Sequence, residues 1–152
     1  MELNCYGKKL RAAREDSGKS PEEIAEALGI SSAAYYDLEA FDDELPTSLS
    51  LDKVALLFTL LKIEPAMFFA TAPPPESVSP DALIRKISEY LNTKRMTVSE
   101  FEDRVGWDIE PLLKEPSKIL SYDIDALRDI CNEIGVDWLS VVQSIMSDGE
   151  GL

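Results

Sequence analysis

Apolar residues recur at spacings of three and four along most of the chain, whereas strict alternation of apolar and polar residues is absent. This spacing matches the period of an α-helix and not that of a β-strand. The pattern predicts helices near residues 3–17, 21–28, 32–39, 51–61 and 65–69 in the first part of the chain. The second part has the same periodicity, so the sequence predicts an all-α protein.

Residues that start and end helices support these bounds. Ser20 is followed by Pro21 and Glu23, the order of a capping box with proline at the first helical position. Ser31 is expected to cap the next helix, and Gly29 stands just beyond a helix end, where glycine takes a left-handed conformation at the least cost. The segment 20–31 therefore predicts two short helices joined by a tight turn.

A proline-rich stretch divides the chain. Prolines at positions 73, 74, 75 and 80 remove backbone donors and disfavour helix in the residues before them. We expect a semi-rigid linker over residues 71–80, between one domain at 1–70 and a second at 81–146. Residues 147–152 are expected to form a flexible tail.

The second block repeats the pattern of the first. An offset of 77 residues superimposes cap and turn positions: Thr97 on Ser20, Glu100 on Glu23, and Gly106 on Gly29. An offset of 73 superimposes apolar positions further on: Ile124 on Leu51, Leu127 on Val54, and Ile134 on Leu61. The offset changes between the third and fourth predicted helices, where a loop tolerates a change of length. The sequence thus predicts an internal repeat.

Composition excludes several classes of protein. A chain of 152 residues with 45% hydrophobic content is expected to fold, and no apolar run approaches the roughly 18 residues of a membrane span. The amino terminus lacks the apolar region of a signal peptide, so the expected compartment is the cytoplasm. There is no histidine, and Cys5 and Cys131 are far apart, so neither a metal nor a disulfide framework is expected. Cys131 is expected to be buried on a helix.

The sequence also argues against an enzyme. Histidine, the commonest general base, is missing. No nucleophile elbow, phosphate-binding glycine loop or zinc-protease motif is present. Acidic residues are numerous but scattered over predicted helix faces. We expect no catalytic residues and no cofactor.

The segments "LRAAREDSGKSPEEIAEALGISSAAYYDLE" and "SLDKVALLFTLLKIEPAMFF" resemble the helix-turn-helix domain of phage repressors and Cro proteins, the XRE family. The resemblance covers residues 7–69, and the second block resembles a degenerate copy. It implies two tandem lambda-repressor-like five-helix domains. It also implies a DNA-binding transcriptional regulator in which the second repeat serves for dimerisation or sensing.

The resemblance further implies a buried ion pair between Arg14 and Glu39 that ties the first helix to the recognition helix. In the second block Leu91 and Pro116 stand at the same positions, so both charges are replaced together. Proline there also predicts that the third helix of the second block ends early.

By position in the motif, the candidates for reading DNA are Ser31, Ser32, Ala33, Tyr36 and Asp37. None of them is an Arg, Lys, Asn or Gln, the residues that make strong bidentate contacts to bases. Basic residues near the first helix are candidates for phosphate contacts or simply a solvated face: Lys8, Lys9, Arg11 and Lys19.

The net charge of the chain bears on the choice between two kinds of partner, DNA and a protein. The formal net charge is −14, of which residues 1–72 carry −6 (7 basic, 13 acidic) and residues 73–152 carry −8 (8 basic, 16 acidic). Neither part has the basic footprint of a nucleic-acid binder. The alternative to a DNA-binding regulator is an acidic protein-binding module, of the antitoxin, immunity or DNA-mimic kind, that keeps the frame without binding DNA.

The helix predicted at 51–61 has apolar residues on more than one side. Leu56 and Leu60 lie outside the stripe needed for the domain's own core. They are expected to cover an interface, with the second repeat folded back or with another copy of the chain; overfilling of a local groove is the alternative.

Overall fold

The computed structural model describes residues 5–70, here called the first half, and residues 76–150, the second half. Within these ranges the chain is all-α, as predicted, and contains no β-strand. The helices of the first half are α1 (Tyr6–Ser17), α2 (Pro21–Leu28), α3 (Ser32–Ala40), α4 (Glu44–Ser48), α5 (Leu51–Leu61) and α6 (Pro65–Phe68). Those of the second half are α7 (Pro80–Lys94), α8 (Val98–Val105), α9 (Glu110–Lys114), a 3₁₀ helix (Pro116–Ser121), α10 (Ile124–Ile134) and α11 (Trp138–Glu150).

The predicted bounds of α2 and α5 match the structure, and those of α3 and α6 differ by one residue. The predicted start of α1 at residue 3 lies outside the described residues, and α1 begins at Tyr6. The sequence did not predict α4, because Pro46 interrupts the helical pattern. Proline is tolerated there since Pro46 is the third residue of the helix, whose amide would have no partner within it.

The helix ends follow their local sequence. Ser20 and Thr97 each form a full capping box with the glutamate three residues later, Glu23 and Glu100. Gly29 and Gly106 follow these helices with φ of 71° and 80°, the left-handed region that favours glycine. The local code therefore works in the same way in both halves.

Gly7 allows α1 to approach α3. A Cβ at this position would overlap the carbonyl oxygen of Glu39, and the Gly7 amide donates to Asp42 Oδ1 at 3.0 Å. Any side chain here would push the two helices apart. Gly7 thus sets the spacing between α1 and the end of α3.

Buried side chains of the two halves form one continuous hydrophobic cluster. Helix α5 of the first half packs against α11 and the 3₁₀ helix of the second half, and α4 packs against α10. The amide of Leu51 donates to Tyr122 O at 2.8 Å, beside an isolated antiparallel bridge between Ser50 and Asp123. The segments predicted as two domains therefore share one core.

Two predicted boundaries differ from the structure or lie partly outside it. Residues 71–75 of the predicted linker lie outside the described residues, whereas the Val78 amide donates to Ser140 O at 3.0 Å, which ties the end of that segment to α11. Helix α11 continues to Glu150, so the tail predicted from residue 147 is helical that far. Residues 151–152 lie outside the described part.

Candidate functional site

The candidate site is the exposed side of α2 and α3 and the segment after α3. The Ser20 and Glu23 side chains satisfy amides at the start of α2. The Ser31 hydroxyl accepts from the Ala34 amide at 3.0 Å and caps α3. These contacts cap the starts of α2 and α3, and the cap of α3 engages the hydroxyl oxygen of Ser31, one of the predicted DNA contacts.

Arg14 and Glu39 are brought together as the family resemblance implies. Arg14 Nε lies 2.6 Å from Glu39 Oε2, and a second guanidinium nitrogen lies 3.1 Å from Oε1. The side chains are 13% and 9% exposed, and Arg14 also donates to Lys19 O at 3.1 Å. Hydrogen bonding to Glu39 raises the pKa of Arg14 despite its burial. The pair ties α1 to α3, and Arg14 is thereby unavailable to a ligand.

Tyr36 is 49% exposed, but its hydroxyl is engaged within the protein. It donates to Glu22 Oε1 at 2.9 Å, which links α3 to the first turn of α2. This hydrogen bond raises the pKa of Tyr36. The pKa of Glu22 is lowered, first by a hydrogen bond from its own backbone amide and second by the one from Tyr36. A carboxylate therefore stands beside the side chain expected to read bases, where it would repel phosphate. Ala33 is exposed and Ser32 is half-buried.

Two of the basic candidates already have partners. Lys9 Nζ donates to Phe68 O at 2.6 Å and lies 5.7 Å from the centre of the Phe68 ring, so it ties α1 to α6. Arg11 pairs with Glu15 at 2.9 Å on the surface of α1. Lys8 is exposed and Lys19 is half-buried. The four basic residues predicted as a cluster thus do not act as one cationic patch.

The region after α3 was missed by the sequence analysis. Phe41 is 54% exposed at the end of α3, and it is followed by Asp42, Asp43 and Glu44. No lysine or arginine occurs between residues 20 and 52, a span that contains α2, the turn, α3 and α4. This absence was visible in the sequence and could have been found by counting charge over the motif instead of over whole domains. We call Tyr36, Asp37, Phe41, Asp42 and Asp43 the α3 surface.

Leu56 and Leu60 are in different surroundings. Leu56 is 42% exposed, whereas Leu60 is half-buried and packs at the edge of the core. The second half does fold back onto α5, but Leu56 stays open to solvent.

Among residues 5–70 and 76–150, no group of three or more His, Cys, Asp or Glu side chains could hold a metal ion. No helix in those residues is long and apolar enough to cross a membrane. Cys131 is buried on α10, as predicted, and burial raises the pKa of its thiol to about 12.

Comparisons with known proteins give little guidance. No family model matches the chain, and no solved structure matches it. Over 69 residues the chain is 35% identical to zinc-finger homeodomain protein 9 of Arabidopsis thaliana, which covers 45% of this chain and 19% of that protein. The match thus spans about a fifth of that relative and does not place the chain in a family.

Proposed function

We propose that the chain consists of two tandem helix-turn-helix units of the phage repressor and Cro type, and that the first unit binds a basic protein and not DNA. The observation that carries this proposal is the absence of any lysine or arginine between residues 20 and 52. DNA binders neutralise phosphates with lysine and arginine side chains. Helices α2 and α3 of this chain contain neither residue and carry carboxylates instead.

The tandem arrangement is supported by backbone conformation. Three left-handed positions of the first half recur in the second at the sequence offsets: Gly18 and Arg95, Gly29 and Gly106, Lys62 and Gly135. Helices α2 and α8 coincide under the offset of 77, and α5 and α10 coincide under the offset of 73. In a repeat whose copies have diverged, cap positions are expected to persist after most residue identities are lost.

The contacts between halves support a two-fold relation. Ser50 and Asp123, which form the isolated bridge, are equivalent under the offset of 73. Two equivalent positions meet each other only close to a two-fold axis. The packing of α4 against α10 has its counterpart in the packing of the 3₁₀ helix against α5. Both pairs fit such an axis between the units.

The first unit is the one fitted to bind a partner. Helix α9, at the position of α3, ends at Lys114 before Pro116 and has five residues against nine. Helix α3 is longer, and the pair of Arg14 and Glu39 ties it to α1. Tyr36 on α3 and Phe41 just after it are exposed among carboxylates. Lysine and arginine side chains form ion pairs with carboxylates and stack on aromatic faces, so a surface with both can bind them.

The test is a charge reversal on the α3 surface. Asp37→Lys with Asp43→Lys should abolish capture of a basic protein partner that the wild type retains from a cell lysate. Glu89→Lys with Asp103→Lys makes the same change of charge on exposed positions of the second half and should leave capture unchanged. Loss of the partner with both double variants would mean that overall charge alone drives binding, against the proposal.

A DNA-binding transcriptional regulator is the second candidate. The frame of α2 and α3 and the short match to a zinc-finger homeodomain protein favour it. Gel shifts with pooled genomic fragments at about 50 mM salt separate the two, because low salt exaggerates phosphate attraction. We expect no shift. A specific shift that disappears with Ser32→Ala and Tyr36→Ala and weakens on charge reversal of Lys8 would establish the regulator instead.

A further inference from the structure

A groove with a volume of about 630 Å³ lies where the two halves meet. Helix α5 supplies one wall, and the 3₁₀ helix, the start of α7 and the end of α11 supply the others. Its apolar lining includes Leu56, Leu120, Ile145 and Met146. None of the side chains of the α3 surface lines it.

Two carboxylates stand at this groove. Asp52 and Asp81 both line it, and none of the described residues that line it is a lysine or arginine. Asp81 is exposed, and among the described residues neither carboxylate forms a salt bridge. Asp52 accepts hydrogen bonds from the Ser50 hydroxyl and the Lys53 amide, which hold it in place on α5.

We propose that this groove binds a small organic cation with an apolar body. The volume is that of sites for small ligands, roughly 300–1,000 Å³, which are mostly apolar with a few placed polar groups. Leu56 stays 42% exposed at the groove and offers apolar surface to the body of the ligand. The two carboxylates offer opposite charge to its cationic group.

The start of α7 lies at the groove, and a helix amino terminus would favour an anion. It is already compensated, because the Ser79 hydroxyl accepts from the Ala82 amide at 3.1 Å and Asp81 lies in the first turn. The electrostatic preference of the groove is therefore for positive charge.

A ligand here would touch both halves at once. Leu56 and Asp52 belong to the first half, whereas Asp81, Leu120 and Met146 belong to the second. A ligand that binds only the assembled groove stabilises the folded pairing of the halves through mass action. Binding should therefore raise the melting temperature of the whole chain.

The test uses three probes of one shape on the full-length chain, by titration calorimetry at neutral pH and low salt. The probes are 1-naphthylmethylamine, which is a cation, the neutral 1-naphthalenemethanol, and the anion 1-naphthaleneacetate. The amine should bind roughly tenfold more tightly than the alcohol, as expected for partly exposed charge pairs at low salt, and the anion most weakly. Equal binding of the three, preference for the anion, or no binding of the amine would each overturn the proposal.

Two variants locate the binding. Asp52→Asn with Asp81→Asn should remove the preference for the amine over the alcohol. Leu56→Trp should fill the groove and weaken both probes, whereas Met67→Trp, at a position 79% exposed and outside the groove, should weaken neither. Unchanged amine binding in the first two variants, with melting temperatures near that of the wild type, would place the site elsewhere and overturn the assignment.

Discussion

The first and second halves end most of their helices at matching positions, but they fill the spaces between helices with different chemistry. In the first half Leu60 and Ala13 are apolar neighbours that line the same depression on the surface. At the corresponding places in the second half, Tyr90 donates to Glu133 Oε1 at 2.8 Å. Caps and turns therefore set where the helices end, and the same space between helices can hold either an apolar contact or a hydrogen bond.

The tie between the first and third helices differs most. The first half uses the ion pair of Arg14 and Glu39, whereas the second places Leu91, 8% exposed, at the arginine position. Gly7 gives a related contrast, because its counterpart is Ile84 and α7 packs mainly against the 3₁₀ helix instead of a long third helix. A close, charged junction in one half thus corresponds to an apolar junction in the other.

The largest effect should come from breaking the ion pair on one side. Arg14→Leu strands a nearly buried carboxylate and should lower the free energy of unfolding by about 3 kcal/mol. Denaturant titration measures it. The double change with Glu39→Leu should restore most of the loss, since it removes both charges together and leaves no buried carboxylate without a partner. A double variant as unstable as the sum of the single variants would show that the pair is not coupled.

Gly7→Ala should have the next largest effect. The added methyl group overlaps the Glu39 carbonyl oxygen, so α1 must move away from α3 at a cost of about 2 kcal/mol. The unfolding midpoint in urea measures this cost. A loss of less than a few tenths of a kcal/mol in the free energy of unfolding would mean that α1 is free to shift.

Equivalent left-handed positions of the two halves should respond to substitution in opposite directions where one position of the pair is a glycine and the other is not. Gly18→Ala and Gly135→Ala should each destabilise by about 1 kcal/mol, because alanine is strained at φ of 73° and 77°. Lys62→Gly and Arg95→Gly, at φ of 55° and 53°, should each stabilise by about 0.5 kcal/mol. Thermal unfolding of the four variants measures both signs. The same sign at all four would remove the structural equivalence of these positions.

The smallest effect tests whether side chains can be moved between halves. Ala13→Tyr with Leu60→Glu should recreate in the first half the hydrogen bond of Tyr90 with Glu133. A double-mutant cycle should give a favourable coupling of about 0.5 kcal/mol, the size of a partly exposed hydrogen bond. Zero coupling would mean that the two pairs of positions do not have the same geometry.

Local sequence was sufficient for most helix bounds of the first half and for the cap positions, because capping boxes and left-handed glycines are encoded within a few residues. It was insufficient for α4, whose single proline falls in the first turn. The partners of Lys9 and Tyr36 could not be predicted either. Phe68 is 59 residues from Lys9 in sequence and Glu22 is 14 residues from Tyr36, so these contacts depend on how the helices pack.

Ser50 and Asp123, which meet at the bridge between the halves, are not the same residue. A symmetric homodimer must accept every substitution twice, and a change at its axis meets its own copy. A chain that contains both partners accepts each substitution once. Under the proposed tandem arrangement, the second unit can therefore lack the ion pair and have a shorter third helix while the first unit has both.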